Sequence, residues 1–413
     1  MSPDREAPAE RAAEDAIIRW ILTEGRSAPS VARFIGGLCR HLVAAGVPLW
    51  RATIYAATLH PQLRGFGWRW WRNRSVTEEV RIARGIERSA EYLDSPLRGV
   101  IETGAAFDRR LDGGAGALPL LDDLAREGGT EYIAAPLNRI GERFPAVAWA
   151  TDRAGGFSAG DRALLEAIRP ALAAVIEAAV LRRTARSLFS IYHGRHVGDR
   201  IFEGKILRGG VDLLRAVIMA TDLRGFTGMS DRLPGEAVIG ALDAYFELVT
   251  VAVHAVGGHV LKFIGDGVLA IVAAEEGHDG AAASAGLAAA RAILAGLEAH
   301  NAAAASARRV VLRAGIGLHL GTVMYGNVGA PDRLDFTAIG PAVNLAFRLE
   351  ELTKGLGRPV LASADFAAAA AEAEALAPLG RHPIRGLSDD EEVFGLPEHD
   401  EGPDPRRRAI EAE

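Results

Sequence analysis

The sequence predicts a mixed helix-and-sheet protein built from more than one domain. Its 413 residues exceed what one domain usually holds, roughly 100–200 residues. Stretches with apolar residues three and four apart, the helical period, alternate with short β-branched runs that read as strands. Short apolar runs are joined by tight glycine turns, as at Gly265-Asp266-Gly267, a strong hairpin signal. With 49% hydrophobic and 24% charged residues, neither disorder nor a fibrous repeat is indicated.

The bulk numbers narrow the function. A net charge of −6 argues against nucleic acid as the main partner, because backbone binders carry a concentrated basic excess. The single cysteine, Cys39, excludes an intramolecular disulfide and a cysteine-based zinc site and fits a reducing compartment, so the cytoplasm is expected. The polar, acidic start lacks the order of a secretory signal. The apolar runs Ile168–Leu181 and Gly280–Leu297 contain Arg169, Glu177 and Arg291. They read as too short to cross about 30 Å of hydrocarbon unbroken, so no membrane span is expected.

Residues 1–16 read as a polar tail and 17–181 as a first, α/β region. "AIIRWILTEG" and "VARFIGGLCRHLVAAG" read as apolar helices, and "WRATIYAATLH" alternates as a strand. In "GFGWRWWRNR", Trp68, Trp70 and Trp71 stand among three arginines. A strand burying its tryptophans while the arginines reach solvent is favoured over a cation–π ligand platform. The region closes with two strands, "GGFSAGD" and a long helix for which Ser158 is the expected N-cap. That ending resembles the last part of GAF-type sensor domains, which implies a regulatory domain for an unspecified small-molecule or protein signal. No ligand residue follows from it, and a solitary His60 or Cys39 reads as structural rather than as a chromophore partner.

Leu165, Ile168, Leu172, Val175 and Ala179 give the long helix one apolar stripe. It either packs on its own domain or zips against a second chain, and 182–210 reads as a signalling helix and linker. Residues 211–397 hold the chemistry, and 398–413 read as a charged tail.

In "AVIMATDLRGFTGMSD" a buried-looking strand ends at Asp222, and in "GGHVLKFIGDGVLAIV" a hairpin carries Asp266. Neighbouring strands would set both carboxylates at one sheet edge, where they repel unless a cation such as magnesium or manganese intervenes. The turn Gly225-Phe226-Thr227 leads into a helix and offers backbone N–H groups to phosphate. Either aspartate alone would read as an ordinary turn residue. Downstream, "RAGIGLHLGTVMYGNVGAPDRLDFTAIGPAVNLAFRLEELTKG" reads as two strands, a loop, a further strand and a helix opened by Pro341, with Asn344 and Arg348 four apart on one face.

Together "TDLRGFTGMSD", "KFIGDGVLAIV", "GIGLHLGTVMYGNVG" and "LDFTAIGPAVNLAFRLE" resemble the catalytic domain of the class III adenylate and guanylate cyclases, in the family's order. The resemblance implies an α+β, ferredoxin-like βαββαβ fold and conversion of ATP to cyclic AMP. It implies two Mg²⁺ or Mn²⁺ ions on Asp222, Asp266 and the main-chain carbonyl of Leu223. It assigns base recognition to Lys262 and Thr337, and ribose and phosphate contacts to Asn344 and Arg348. Lysine only donates while threonine donates or accepts, which suits adenine; another nucleoside triphosphate is the alternative, and a non-catalytic binding module a further one. Where some members place a phosphate-binding lysine this chain has Glu391, with Arg385 as the candidate substitute. A head-to-tail homodimer is implied, each site drawing on both chains.

Overall fold

The computed structural model describes residues 3–111, 118–139, 143–307, 310–370, 376–386 and 389–397; the expected tail at 398–413 lies outside them. The chain divides into two compact units, Met1–Leu188 and Phe189–Glu413.

The first unit opens with α1 (Pro3–Leu22) and α2 (Val31–Ala44), the latter capped by Ser30, whose side chain accepts from the Arg33 N–H. The expected polar tail is thus helical from Pro3, because its Ala, Glu and Arg residues are strong helix formers. Then follow β1 (Leu49–Ala57), β2 (Leu63–Trp71), β3 (Glu78–Ala83), α3 (Ala90–Leu93), α4 (Leu97–Thr103), β4 (Phe107–Arg110), α5 (Pro119–Arg126), β5 (Glu131–Pro136) and β6 (Ala146–Thr151). The strands form one antiparallel sheet in the order β3-β2-β1-β6-β5-β4.

Both faces of this sheet are covered. On one, Ile54, Trp68 and Trp149 pack with Leu38 of α2 in the larger core. On the other, Tyr55, Tyr132, Ala148 and Ala150 meet Leu121 and Leu124 of α5. The tryptophan cluster follows the period of two: Trp68 and Trp70 are buried, and Trp68 donates its indole N–H to Glu79 at 2.8 Å. Trp71 lies under the guanidiniums of Arg51 and Arg74. Cys39 is fully buried and its thiol is pushed up by that burial, while the His60 ring accepts two backbone N–H groups of its own turn; both are structural.

The helix α6 (Ala159–His193) runs for 35 residues. Ser158 caps it reciprocally: its hydroxyl accepts from the Asp161 N–H, and Asp161 accepts from the Ser158 N–H at 2.7 Å. Leu165, Ile168, Leu172 and Val175 enter the core of the first unit together with Ile176 and Val180, so the stripe read from the sequence packs on its own domain. A second seam, absent from that reading, runs along Ala167, Ala171, Ala174, Ala178, Leu181, Ala185, Leu188 and Tyr192, none of them buried. Their spacing alternates four and three, the heptad repeat of a coiled coil.

Gly194, at φ 82°, breaks the helix. The next segment, α7 (Arg195–Phe202), lies in the stretch expected to be linker, yet it buries Val197 in a core of the second unit. Then come β7 (Val211–Leu223), α8 (Phe226–Ser230), α9 (Gly235–Ala255), β8 (His259–Ile264), β9 (Gly267–Ala273), α10 (Asp279–Ala307), β10 (Ala314–Ala330), β11 (Arg333–Ile339), α11 (Pro341–Leu356), β12 (Val360–Ser363), α12 (Ala364–Ala369), β13 (Ala377–His382) and β14 (Glu391–Gly395).

From β7 to β10 the order is βαββαβ, and the sheet runs β13-β14-β12-β10-β7-β9-β8 with β11 paired to β10. The segment expected to be two strands and a loop is instead one 17-residue strand, β10. The apparent loop residues Asn327, Val328 and Gly329 continue the ladder against Phe336, Asp335 and Leu334 of β11.

By length and composition α9 and α10 are each long and apolar enough to cross a membrane, which corrects the expectation that no segment is. Here those apolar residues have another use. Tyr245, Val249 and Val253 of α9 and Leu287, Ile293 and Leu297 of α10 pack on Val217, Met219 and Ala270 of the sheet. The opposite sheet face, with Ile218, Ala220 and Ile271, carries α11 through Ala342, Val343 and Ala346.

Candidate functional site

Strand pairing sets two carboxylates side by side. Asp222, the penultimate residue of β7, pairs in register with Gly267, and the Leu223 N–H reaches the Asp266 carbonyl at 3.3 Å. Asp266 occupies the hairpin turn beside Gly265, which takes φ +64°. Gly267 has no side chain to spare: a Cβ there would lie 2.9 Å from the Thr221 carbonyl and 3.4 Å from the Asp222 carboxylate. Burial raises Asp266 above the usual carboxylate range and the Asp222 charge raises it further, which is the signature of two acids sharing one site.

After Leu223 the chain turns through Gly225, at φ +74°, into α8. The first N–H groups of any helix have no partner within it, so Phe226 and Thr227 carry donors beside Asp222. Thr221 and Tyr245 share a buried hydrogen bond of 2.6 Å that anchors the strand end.

Three further charged residues converge there, none of them singled out by the motifs. Lys354 of α11 places its ammonium 3.3 Å from Asp222. The carboxylate of Glu350, one turn earlier, is 3.0 Å from the Arg224 guanidinium, an ion pair whose angle lies outside hydrogen-bond geometry. Burial pushes Glu350 up to about 7, and the Asp222 charge adds to the effect, against Arg224 and Lys354. Arg224 reaches Glu350 across Gly315, where a Cβ would sit 1.8 Å from its guanidinium. In the sequence, Glu350 and Lys354 read as an ordinary i,i+4 surface pair, and only the fold turns them toward the aspartates.

The remaining candidates stand elsewhere. Lys262 of β8 pairs with Asp335 of β11. Thr337, two residues on and so on the same strand face, is buried. Asn344 is exposed on α11 and Arg348 half-buried. Arg348 abuts the turn Arg385-Gly386: a Cβ on Gly386 would lie 3.0 Å from its guanidinium. Glu391 sits half-buried in β14, raised by burial and then by Asp365. Among the described residues no hydrogen bond or ion pair joins Asn344 or Arg348 to Asp222 or Asp266. At about 100° per residue, Asn344 and Arg348 point roughly 120° away from Glu350 and Lys354, so one helix serves two directions.

The donor set fits a divalent cation. Asp222 and Asp266 are hard oxygen ligands, their mutual repulsion calls for positive charge, and Lys354 supplies one beside Asp222. Among the described residues no group of three or more His, Cys, Asp or Glu is gathered as a metal cluster.

Comparison with known proteins gives a consistent picture. The description "Adenylate and Guanylate cyclase catalytic domain" matches residues 214–388. An uncharacterized protein of Mycobacterium tuberculosis is 36% identical over 193 residues, 47% of this chain and 34% of that protein. Adenylate cyclase 1 of Rhizobium meliloti is 35% identical over 181 residues, 43% of this chain and 27% of that protein. The chain therefore spans about a third of the length of the curated relatives it matches. The solved structure of a bacterial light-regulated adenylyl cyclase is 28% identical, with 55% of this chain and 63% of that chain covered at a TM-score of 0.46.

Proposed function

With residues 214–388 being a class III adenylate/guanylate cyclase catalytic domain, we propose that the chain converts ATP to 3′,5′-cyclic AMP and pyrophosphate under control of its N-terminal, GAF-like unit. The observation that carries the reading is the pairing of Asp222 with the Asp266 hairpin beside the Gly225 turn.

Asp222, Asp266 and the Leu223 carbonyl are the groups that would hold two Mg²⁺ or Mn²⁺ ions; when bound, such ions lower the pKa of the ribose 3′-hydroxyl and neutralise the triphosphate. The protein's own groups do the rest. The N–H groups of Phe226 and Thr227, in the turn after Gly225, donate to phosphate oxygens. Lys262 donates to a ring nitrogen of adenine, and Thr337 accepts from its amino group. Asn344 orients the ribose, and Arg348 offers a planar fork to the charge that grows on the phosphates as the α-phosphorus is attacked. Arg385, beside Gly386 in the turn against Arg348, is the candidate for the positive charge that Glu391 cannot supply. Because threonine donates as well as accepts, use of another nucleoside triphosphate is the second reading.

The active unit is a homodimer in this reading. Support comes from the separation of Asn344 and Arg348 from the two aspartates within one chain, which a second copy would remedy. The heptad seam of α6 supports it too, with Ala174, Ala178, Leu181 and Tyr192 exposed and Ala171 packing on the first unit's own core. Glu177 and Arg182 flank that seam five residues apart, the offset at which g and e positions of two parallel helices form interchain pairs.

The test is direct. The full chain is incubated with Mn²⁺ and ATP, GTP, CTP or UTP in turn, beside Asp222→Ala, and cyclic nucleotide is measured by mass spectrometry. Cyclic AMP is expected from the unmodified chain, with a loss of at least about 100-fold in the variant; product from neither with any nucleotide overturns the proposal.

A further inference from the structure

The first unit contains a cavity of about 540 Å³ between the inner face of its sheet and the short helices α3 and α5, a size within the ~300–1,000 Å³ of small-molecule sites. Its existence follows from a pattern in β6. Along "AVAWAT" the residues alternate, with Val147 and Trp149 filling the larger core and Ala146, Ala148 and Ala150 facing the other way. Small side chains on that face leave space that larger ones would fill.

The floor of the cavity is cationic. Arg51 of β1 and Arg69 of β2 line it, and Thr53, between them on the same face, pairs in register with Arg69 and Ala148. Neither arginine is hydrogen-bonded or ion-paired to a carboxylate among the described residues. They are close enough to repel: Arg51 is held below its ordinary value by burial first and by the Arg69 charge second. Tyr132 lines the same cavity with its ring 4% exposed, and its hydroxyl has no hydrogen-bond partner among the described residues. A buried hydroxyl left unpaired costs free energy that a ligand atom would recover. At the mouth the charge reverses, with Glu91 and Asp94 from α3 and its C-terminal end.

We infer that this cavity binds a small organic acid. Its carboxylate or phosphate seats on Arg51, Arg69 and the Tyr132 hydroxyl, and amino or hydroxyl donors at its other end meet Glu91 and Asp94. Two guanidiniums and a phenol supply enough donors for one acid group, and the mixed charge of the walls selects against a simple anion and against a simple cation. The assignment concerns binding alone and stands independently of the cyclase chemistry.

Isothermal titration calorimetry on the full chain, without nucleotide or divalent metal, tests it. The carboxylate arm uses the twenty L-amino acids; the phosphate arm uses phosphoserine, glycerol 3-phosphate and glucose 6-phosphate; putrescine is the control for cation binding. Heat from at least one acid is expected, with affinity at least tenfold weaker in Arg51→Met and in Ala148→Leu, which fills the floor. Tyr132→Phe removes one oxygen from an intact fold and should weaken binding several-fold, which keeps the test decisive if Ala148→Leu does not fold. Silence from both arms, affinity unchanged in the variants, or tighter binding of putrescine than of any acid each overturns the inference.

Discussion

Glu350 is the residue at which stability and function meet. Its side chain is 9% exposed, beside Arg224 and within reach of the Asp222 charge, and it titrates at about 7 where an unfolded chain would titrate near ~4.3. The folded state therefore keeps a proton over that window which the unfolded state has released. This group's contribution is greatest below the unfolded value, falls as the pH rises toward 7 and is flat above it. Burial raises Asp266 as well, with the same sign. In metal-free protein the denaturation midpoint of the catalytic unit should fall between pH 5 and 7, by the equivalent of about 1–3 kcal/mol. Glu350→Gln should flatten most of that slope; an undiminished slope in the variant would show that another group carries it. Part of the candidate site could be read at this scale: Asp222 and Asp266 stand at a strand end and a hairpin turn that the fold pairs, while the roles given to Lys262, Thr337, Asn344 and Arg348 rest on the family resemblance. Arg224, Glu350 and Lys354 could not. Each has an ordinary local explanation, and their convergence depends on how α11 crosses the sheet through the slot at Gly315.

Among the elements, α6 shows how one helix can carry two addresses. Its buried stripe was legible because leucine, isoleucine and valine recur at helical spacing. The heptad seam was not, since alanine at five of its eight positions has little hydrophobic contrast with its surroundings. In the proposed homodimer two helices would approach along these alanines, beside Leu181, Leu188 and Tyr192, and the flanking charges would then matter. Glu177→Lys should weaken self-association of the full chain about three- to tenfold by analytical ultracentrifugation, as one mismatched g–e′ pair per side would. Adding Arg182→Glu should restore it, whereas equal weakening in the double variant would place the seam outside the interface. The long strand β10 makes the complementary point. Its glycines and the run "GNVGAPD" look like a loop, and only pairing along β11 shows that the ladder continues through them.

At the scale of the whole molecule, the separation of Arg348 from the two aspartates is a statement about partners. If each site takes its aspartates from one chain and its arginine from the other, two dead variants can repair one another. Asp222→Ala and Arg348→Ala, each inactive alone, should regain about a quarter of unmodified activity when co-expressed in equal amounts. Random pairing makes half the dimers mixed, and each mixed dimer has one whole site of two. Activity that stays at zero would mean that every group needed resides in a single chain. The βαββαβ order of this unit was implied by the family resemblance, while the residues themselves showed its hairpin turn and the strand ending at Asp222. The extent of the first unit was not fully legible, since the first part of its opening helix, residues 3–15, is too polar to show an apolar stripe.

Two alanines of β6 bear on how such a protein changes over generations. Val147 and Trp149 secure the sheet from the opposite side, while Ala148 and Ala150 line the cavity and share a core with Leu121 and Leu124. An exchange there reshapes the cavity at whatever cost its repacking against those leucines brings, and it leaves the pairing of β6 with β1 and β5 in place. A lineage could thus alter what the cavity admits one methyl group at a time, with no matching revision in the strands of the second unit.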